Sequence, residues 1–252
     1  MSDSPYRYRC ETALVVGAAS GIGRAASLRL AKEGVRLFLA DLAQDRAADV
    51  AKEVADAGGS AEAFAVDASS SSSVAELFVS LREQTERLDL VVNSFGWLDE
   101  TTFIEDLTDA QWDRMIGTNL SGVFYCCREA VRWMKEHGSG RLVNLASVAA
   151  LMPTPGALHY SASKGGVVQL TKTLAAEIAR YGLRANVVAP GYVKTPMLER
   201  MDEGFLEHIQ RRTPLRRFAD PEEIAGLIAF LASPEADYLV GQVLSPNGGL
   251  VI

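Results

Sequence analysis

Residues 12–23 read TALVVGAASGIG and join an apolar run directly to a turn rich in glycine. The run at 12–16 has the continuous apolar pattern of a strand buried on both faces of a parallel sheet. The turn at 17–23 has the spacing Gly-x-x-x-Gly-x-Gly, and the missing side chains let backbone amides and a helix N-terminus approach a pyrophosphate. The stretch therefore predicts a strand, a phosphate-binding turn and the first turn of a helix.

The residues that follow extend this pattern to a second buried strand. A helical stretch runs to Gly34, and the apolar segment 35–40 ends in Asp41. Strand, glycine turn, helix, strand and acid in this order form the context that a dinucleotide-binding fingerprint requires. A carboxylate at Asp41 accepts hydrogen bonds from the adenosine ribose and repels a 2′-phosphate, and no Lys or Arg occurs at 42–44 to neutralise one. The sequence thus predicts a dinucleotide site that prefers NAD to NADP.

Helical and strand patterns alternate along the rest of the chain. Seven strands alternating with about six helices predict an α/β fold, a doubly wound parallel seven-stranded sheet with helices on both faces. We expect one NAD-binding catalytic domain at 11–252, with an irregular substrate loop or lid at 190–219, after a flexible N-terminal tail at 1–10. The remaining strands are predicted at 61–66, 88–93, 141–146, 184–189 and 242–245, and the remaining helices at 44–57, after the serines 69–73, at 108–136 with a potential break near Gly117, at 160–181, and from Asp220 onward.

The composition excludes several classes of protein. Lys and Arg total 25 against 32 Asp and Glu, a formal net charge of -7, which argues against binding to nucleic acid or to an anionic membrane surface. The cysteines Cys10, Cys126 and Cys127 fit neither a disulfide framework nor a zinc site, and the scattered histidines predict no metal centre. No run reaches the roughly 18 apolar residues of a membrane span. We expect a cytoplasmic protein without a metal ion.

Tyr160 and Lys164 are four residues apart in a predicted helix, so both side chains lie on one face. A phenol ionises at about pH 10, but a nearby ammonium favours the phenolate and brings the pKa toward the working range of an acid or base. The pair is a proton-transfer device if it faces a cofactor. The same spacing is common on exposed helices, so the interpretation depends on the rest of the chain.

Several further positions occur in the order and at the spacing of one family. They are the glycine turn 17–23, Asp67, the segment 93–96 (NSFG), Asn119, Ser147 thirteen residues before Tyr160, Lys164, and Pro190-Gly191 followed by Thr195. On these motifs the chain resembles the short-chain dehydrogenase/reductase family, in its short single-domain branch, over about residues 11–252. The resemblance implies a Rossmann fold and an oxidoreductase that acts on CH–OH groups.

The resemblance also implies roles for four catalytic residues. Tyr160 would be the general acid for ketone reduction and, as phenolate, the base for alcohol oxidation, while Ser147 would stabilise the developing alkoxide through a hydrogen bond. Lys164 would bind the nicotinamide ribose and lower the pKa of Tyr160. Asn119 would hold a water that links Lys164 to solvent as a proton relay. For the whole molecule, the resemblance implies a homotetramer built on the helices that contain Asn119 and Tyr160.

A larger set of residues is assigned to the cofactor by the same resemblance. They are Gly17, Ser20, Gly21, Ile22, Gly23, Asp41, Asp67, Ala68, Asn93, Gly96, Tyr160, Lys164, Pro190, Gly191, Val193 and Thr195. Two positions depart from the family pattern. Val16 replaces the usual Thr before the turn, which bears on local stability, and Phe95 places a ring where a methyl group is usual. The sequence leaves open whether that ring lies beside the adenosine or turns into the core.

Apolar and aromatic residues near the catalytic positions are the candidates for the substrate pocket. They are Trp97, Leu151, Met152, Tyr192 and Met197, although core packing explains the same residue types. These residues favour a hydrophobic small-molecule substrate, and the leading hypothesis is an NAD(H)-dependent oxidoreductase that interconverts a secondary alcohol and its ketone. One alternative is a reductase of 3-oxoacyl thioesters of acyl carrier protein or coenzyme A, a subgroup that residues 214–249 resemble. The other is a non-catalytic dinucleotide-binding sensor or scaffold.

Two further features near the site have simple explanations. His159 precedes Tyr160 but points about 100° away around the helix, so local packing is favoured over catalysis. Arg211-Arg212 and Arg216-Arg217 form a basic cluster near the predicted lid. A solvated face is favoured for this cluster over contact with a phosphate-bearing substrate such as a coenzyme A thioester.

Overall fold

The structure, a computed structural model, describes residues 10–252 of the chain. The predicted N-terminal tail therefore falls almost entirely outside the described residues. Cys10, which the prediction included in the tail, is only 4% exposed and packs against the core. The packed part of the described chain thus includes Cys10.

One parallel sheet forms the centre of the molecule. Its strands are β1 (Thr12–Val16), β2 (Arg36–Asp41), β3 (Ala61–Ala65), β4 (Leu90–Asn93), β5 (Gly140–Leu145), β6 (Leu183–Val188) and β7 (Val243–Leu244). Within residues 10–252 these seven strands lie in the order β3-β2-β1-β4-β5-β6-β7, and every neighbouring pair is parallel. The doubly wound parallel sheet predicted from the sequence is therefore confirmed.

Helices cover both faces of the sheet. They are α1 (Gly21–Lys32), α2 (Gln44–Asp56), α3 (Ser71–Gln84), α4 (Asp109–Ile116), α5 (Gly122–His137), α6 (Leu158–Ile178), α7 (Glu203–Arg212) and α8 (Pro221–Ala232). Two starts follow plain sequence signals: the Ser70 hydroxyl accepts the Ser73 N–H at 3.3 Å before α3, and the Glu223 carboxylate accepts the Asp220 N–H at 2.9 Å before α8. No helix in the described part of the chain is long and apolar enough to cross a membrane.

The core lies in two layers, one on each face of the sheet. α1, α2 and α8 cover one face, where Leu30, Val54 and Ile228 are fully buried. α3, α5 and α6 cover the other face, where Leu81 and Trp133 are buried in the same way. Because both faces are covered, the central strands are apolar on both sides, which explains the continuous apolar runs in the sequence.

Two segments differ from the prediction. The segment 190–219, predicted to be irregular, contains a 3₁₀ turn at Leu198–Arg200 and the helix α7. Asp202 begins α7 by accepting the N–H of Phe205 at 2.9 Å, and only Ile209 of this helix is fully buried, so no apolar stripe marks it in the sequence. The long helix predicted at 108–136 is interrupted by a π-helical turn at Gly117–Ser121, close to the break that the sequence indicated.

The sheet order fixes where a ligand can bind. The winding reverses between β1 and β4, and in such sheets ligands bind outside the carboxyl ends of the strands at this point. The glycine turn follows β1, Asp41 closes β2, Ser147 follows β5 and Pro190 follows β6. The predicted site residues therefore converge on one edge of the sheet although they are far apart in the sequence.

Candidate active site

The glycine turn leaves no room for side chains between β1 and α1. Gly17 has φ +83°, donates its N–H to the Ala40 carbonyl at 2.8 Å, and would place a Cβ 2.7 Å from the Phe95 nitrogen. Gly21 has φ +52°, a conformation that favours glycine. Ser20 lies at the N-cap of α1 and its hydroxyl makes no cap bond, so it is available, with the amides of the first helical turn, to an anion.

Asp41 is anchored to this turn by both of its carboxylate oxygens. Its Oδ2 accepts the Ala19 N–H at 3.0 Å and its Oδ1 accepts the Ala43 N–H at 3.0 Å. These two bonds hold a negative charge beside the glycine turn, where the adenosine ribose of a dinucleotide would lie. The position predicted for Asp41 is thus the one that it occupies.

Asp67 and Ala68 lie after β3, next to the start of α5. The Oδ1 of Asp67 accepts both the N–H and the hydroxyl of Ser69, at 2.9 and 2.6 Å. A Cβ on Gly122 of α5 would lie 2.7 Å from the Ala68 carbonyl oxygen and 2.9 Å from Cε2 of Phe95. The Phe95 ring therefore packs against α5 and into the core, which answers the question that the sequence left open.

The side chain of Asn93 lies in the core and does not face the cleft. It is 0% exposed, and its Nδ2 donates to Asn144 Oδ1 at 2.8 Å, while Asn144 Nδ2 donates to Thr171 Oγ1 at 2.9 Å. These bonds join β4, β5 and α6 inside the core. The Val193 side chain is also buried in the core, so at both positions only the backbone is left to contact a cofactor.

Lys164, Asn119 and Gly96 meet at one point. Gly96 has φ +149°, and a Cβ at this position would lie 3.0 Å from Lys164 Nζ and 3.2 Å from Asn119 Oδ1. The Lys164 side chain is buried, and its ammonium donates to the Leu145 carbonyl at 3.0 Å. Glycine at position 96 is therefore what allows the ammonium to reach the edge of the sheet.

The Asn119 side chain is fixed by the backbone of Trp97. Its Oδ1 accepts the Trp97 N–H at 3.0 Å and its Nδ2 donates to the Trp97 carbonyl at 2.9 Å. Asn119 itself lies in the π-helical turn between α4 and α5, an irregularity often found at functional sites. The π-helical turn therefore holds the Asn119 side chain in a fixed orientation beside Gly96.

Tyr160 and Lys164 project from the same face of α6, but their ionisation differs from the prediction. The pKa of Tyr160 is raised, chiefly by burial, while the nearby Ser147 hydroxyl opposes the rise by hydrogen bonding. Lys164 Nζ lies 5.9 Å from the Tyr160 ring centroid, and burial lowers its pKa to about 8. In the protein alone, therefore, burial outweighs the lowering of the Tyr160 pKa that the sequence predicts.

The residues predicted to contact the nicotinamide lie in the loop after β6. A Cβ on Gly21 would lie 3.0 Å from Cγ2 of Thr195, so Thr195 lies directly against the glycine turn. The Pro190 carbonyl accepts the Val148 N–H at 2.8 Å, and a Cβ on Gly191 would lie 2.9 Å from the Asn247 Cα. The close packing of Gly191 against Asn247 fixes the backbone conformation of the loop after β6.

The five predicted pocket residues differ in exposure and in their neighbours. Trp97 follows Gly96, and the Arg114 guanidinium lies 4.0 Å above its ring. Leu151 is exposed, and Met152, Tyr192 and Met197 are partly buried. The Tyr192 ring lies 6.1 Å from Phe205 and 6.1 Å from Phe218, centroid to centroid. The sequence analysis missed Phe205 because it missed α7, whose signal was the N-cap residue Asp202.

His159 is fully buried although it neighbours Tyr160. Neither ring nitrogen has a hydrogen-bond partner in the described part of the chain. Burial lowers the pKa of His159, so the imidazole is neutral at pH 7. This agrees with the packing role that the sequence favours.

The arrangement fits a bound dinucleotide. A Cβ at Gly17 or Gly23 would collide with the backbone, so only glycine fits this tight turn; Asp41 holds a carboxylate beside the turn, and Gly96 lets the Lys164 ammonium come close. The Ser94 hydroxyl, two residues before Gly96, is buried and has no hydrogen-bond partner within residues 10–252. Phosphate, ribose and nicotinamide would thus each meet groups suited to them along one edge of the sheet.

Comparisons with known proteins agree with this arrangement. The sequence model of the family described as enoyl-(acyl carrier protein) reductase matches residues 17–251. The chain is 36% identical to a 3-oxoacyl-[acyl-carrier-protein] reductase of Thermotoga maritima over 98% of this chain and 100% of that protein. It is 35% identical to a (3R)-3-hydroxyacyl-CoA dehydrogenase of Canis lupus familiaris, with 98% of each covered.

Solved structures resemble the chain over nearly its full length. Levodione reductase superposes with a TM-score of 0.92 at 32% identity, over 95% of this chain and 96% of that one. A short-chain type dehydrogenase/reductase from Mycobacterium marinum superposes with a TM-score of 0.90 at 30% identity, over 96% of this chain and 95% of that one.

A doubly wound parallel sheet with a glycine cradle at its switch point defines a Rossmann-fold protein of the dinucleotide-binding class. The reductase and dehydrogenase relatives place the class among the oxidoreductases. The chain belongs to the short-chain dehydrogenase/reductase family, as its motifs indicated.

Proposed function

We propose that the protein is an NAD(H)-dependent oxidoreductase that interconverts a 3-oxoacyl thioester and the corresponding 3-hydroxyacyl thioester. The observation that carries this proposal is the full-length likeness to proteins named as 3-oxoacyl-acyl-carrier-protein reductase and 3-hydroxyacyl-CoA dehydrogenase. Both names describe the same reaction, the interconversion of a ketone and a secondary alcohol at carbon 3 of an acyl chain. The sequence analysis ranked this activity second, behind a free secondary alcohol and its ketone.

The catalytic residues suit reduction of such a ketone. When bound, the nicotinamide cofactor supplies the hydride to the carbonyl carbon. Ser147 donates a hydrogen bond to the carbonyl oxygen, and Tyr160 gives its phenolic proton to the same oxygen. Because burial raises the pKa of Tyr160, the phenol is protonated at neutral pH, which is the form that reduction requires.

Lys164 and Asn119 return a proton to Tyr160 after each turnover. The Lys164 ammonium has a pKa of about 8, so it is mostly protonated at pH 7 yet can release its proton at small free-energy cost. The Asn119 amide is held against the Trp97 backbone beside it, in position to order a water on the route to solvent. For oxidation of the alcohol, the same groups transfer the proton in the opposite direction.

Asp41 supports NAD rather than NADP as the cofactor. Its carboxylate is fixed at the glycine turn by the Ala19 and Ala43 amides, so it cannot easily swing away from a ligand. A 2′-phosphate at the ribose would meet this charge, and residues 42–44 offer no cation to offset it. The ribose hydroxyls of NAD would instead donate to it.

A second candidate is the oxidation or reduction of a free, hydrophobic secondary alcohol or ketone. Tyr192 and Phe218 line one pocket, and Phe205 packs on Tyr192, so aromatic surface is available to such a substrate; the similar fold of levodione reductase also favours it. The sensor hypothesis has less support. A buried lysine lowers stability, and a protein that only binds a dinucleotide has no use for its proton.

The substrate class is tested by a turnover panel. NADH binding is first measured by fluorescence, and NADH oxidation is then followed with 3-oxobutyryl thioesters and with cyclic and aliphatic ketones. We expect thioesters to give the higher kcat/KM. Turnover of free ketones alone would promote the second candidate, and NADH binding without any turnover would promote the sensor.

We also propose the assembly and location that the sequence predicts, a cytoplasmic homotetramer. Support for the assembly comes from large apolar side chains exposed on the face formed by α4, α5 and α6 and the segment before α4. They are Phe103, Ile104, Trp112, Phe124 and Leu158. The bridge between Thr102 and Ala157 brings the first and last of these side by side.

A further inference from the structure

The four arginines near the end of α7 have different partners. Arg211 pairs with Glu207, one turn earlier, at 3.2 Å, and Arg217 binds both oxygens of Glu223 at 2.6 and 2.7 Å. Arg216 donates to the Arg211 carbonyl. The Arg212 side chain makes no ion pair or hydrogen bond with any residue of 10–252. The basic cluster of the sequence is therefore three arginines with partners in the fold and one without.

The position of Arg212 on α7 places it on the flank of the helix that carries Phe205. Seven residues along a helix return to within about 20° of the starting direction, so Arg212 projects along the same flank as Phe205. Phe205 packs on Tyr192 at 6.1 Å between ring centroids. The helix thus carries a free guanidinium two turns beyond its contact with a pocket residue.

The carboxylates of α7 lie on the opposite side of the helix. Glu203 and Glu207 are nine and five residues before Arg212, which puts both at roughly 140–180° from it around the axis. Arg211 lies on their side and is neutralised by Glu207. The charges are therefore separated across the helix, with the acidic groups toward solvent and one unpaired cation toward the cleft.

The field of Arg212 reaches the pocket. Its positive charge lowers the pKa of Tyr192, against the stronger effect of burial, and the Tyr192 phenol in turn influences Tyr160. In water with ordinary salt, such interactions fade beyond roughly 10 Å. The shared flank of Arg212 and Phe205 on α7, and the contact of Phe205 with Tyr192, agree with this interaction.

We propose that Arg212, with the Tyr192 hydroxyl, binds an anionic group of the substrate, a carboxylate or a phosphate, on the part that stays outside the catalytic centre. A guanidinium can bind either group through two parallel hydrogen bonds, and a phenol adds a third donor. This anion-binding site rests on the proposed function, since it assumes a carbonyl substrate at Tyr160. With such a site, the enzyme would select its substrate by charge as well as by contact with apolar side chains.

The test compares three substrates that share one reacting ketone. They are the N-acetylcysteamine thioester of 3-oxobutyrate, which is neutral, the coenzyme A thioester, which carries phosphates, and 3-oxobutyrate, which carries a carboxylate. The kcat/KM of each is measured with NADH for the wild type, Arg212→Gln, Arg212→Lys and Arg211→Gln. Arg211→Gln is the matched control, since it removes the neighbouring charge on the other flank.

We expect Arg212→Gln to lower the preference for an anionic over the neutral substrate by about 10- to 100-fold, as for the loss of one charge-assisted interaction, and mainly through KM. Arg212→Lys should recover part of the preference, and Arg211→Gln should keep it. The anionic substrate that loses its advantage identifies the group as phosphate or carboxylate. An unchanged preference in Arg212→Gln, or an equal loss in Arg211→Gln, would overturn the proposal.

Failure of the proposed function has a different signature. If the wild type turns over none of the three ketones, calorimetric titration of coenzyme A and of 3-hydroxybutyrate into the NADH-bound protein decides the question of the anion. Binding by the wild type that Arg212→Gln abolishes supports the anion-binding site. Binding that is equal in both proteins, or absent from both, contradicts it.

Discussion

Burial has opposite effects on the pKa values of the two residues that we propose as proton carriers. It raises the pKa of Tyr160, and it lowers the pKa of Lys164 to about 8. A phenol that stays protonated is a ready donor for reduction, and an ammonium near its titration point is a ready source for replacing that proton. Both properties come from the apolar packing of α6 on the edge of the sheet rather than from a direct ion pair.

Replacing Tyr160 tests the proton donor. Tyr160→Phe removes the hydroxyl and keeps the ring, so turnover should fall by at least about 100-fold, the lower range for loss of a general acid. NADH binding, followed by fluorescence, should change little. Tyr238→Phe, at a residue 100% exposed, is the control. Substantial turnover by Tyr160→Phe would remove this residue from its assigned role.

Replacing Lys164 tests the cost of its burial. Its folded pKa of about 8 lies below the ordinary 10.5, so the unfolded chain holds more protons between these values and the wild type gains stability as pH rises from 8 to 10.5. Below pH 8 the charged side chain carries its full penalty, at most about 3 kcal/mol for this pKa difference. Lys164→Met should therefore be inactive yet more stable at pH 7.

The measurement is urea unfolding at a fixed protein concentration, from pH 7 to pH 10. The stability advantage of Lys164→Met should shrink as pH rises through this range. Lys172→Met, at an exposed lysine of the same helix, should show no such trend. A Lys164→Met variant that is less stable than the wild type at pH 7 would show that the ammonium is stabilised by its surroundings.

Replacing Asp41 tests the role of its charge in cofactor choice. Asp41→Asn keeps the size of the side chain but has an acceptor for only one of the Ala19 and Ala43 amides, so one bond to the turn is lost together with the charge. Loss of the negative charge should shift the ratio of kcat/KM for NADPH over NADH upward by about tenfold or more. Asp45→Asn, one turn into α2, should leave the ratio unchanged. An unshifted ratio in Asp41→Asn would contradict the ribose assignment.

At the scale of elements, the sequence predicts what local pattern controls and misses what distant contacts decide. Continuous apolar runs mark the strands because both faces are covered. The same runs cannot show which face a residue takes, so the inward turn of Asn93 toward Asn144 was not predictable. Helix α7 has only Ile209 fully buried and so lacks a periodic stripe. The pairing of Arg217, after α7, with Glu223 of α8 depends on how the two segments fold together, which no local pattern shows.

Two glycines in the interrupted α4–α5 helix have opposite roles. A Cβ at Gly117 would meet nothing within 4 Å, whereas a Cβ at Gly122 would lie 2.7 Å from the Ala68 carbonyl and 2.9 Å from the Phe95 ring. Gly117→Ala should raise the free energy of unfolding by up to about 1 kcal/mol, because alanine favours the helix. Gly122→Ala should lower it by about 1–3 kcal/mol, because it overpacks the core.

Urea unfolding of both variants beside the wild type measures these changes. Gly117→Ala is the control for the general effect of alanine in this helix, so the difference between the two variants reports the contact with Phe95 and Ala68. Equal effects of the two substitutions would show that Phe95 does not depend on a glycine at 122. NADH affinity should fall only in Gly122→Ala, since Ala68 borders the predicted adenine position.

For the whole molecule, the topology explains why so much of the site can be located from sequence. Parallel strands place every βα turn on one edge, so residues from six turns, those after β1 to β6, converge without any local signal of proximity. The opposite is true of the outer surface. Its exposed apolar groups lie on segments that are far apart in the chain, and the Thr102–Ala157 bridge that joins two of them is visible only in the folded structure.

Assembly through the face of α4, α5 and α6 is the prediction at this scale. A glutamate in place of Phe124, which is 45% exposed on α5, would put a charge into an apolar interface, so Phe124→Glu should dissociate the tetramer. Light scattering should give about four times the 27.1 kDa protomer mass for the wild type and a smaller mass for the variant. Val79→Glu, at a residue 63% exposed on α3, is the matched control and should remain tetrameric. A wild type of protomer mass would contradict the tetramer, and a variant that keeps the full mass would place the interface elsewhere on the surface.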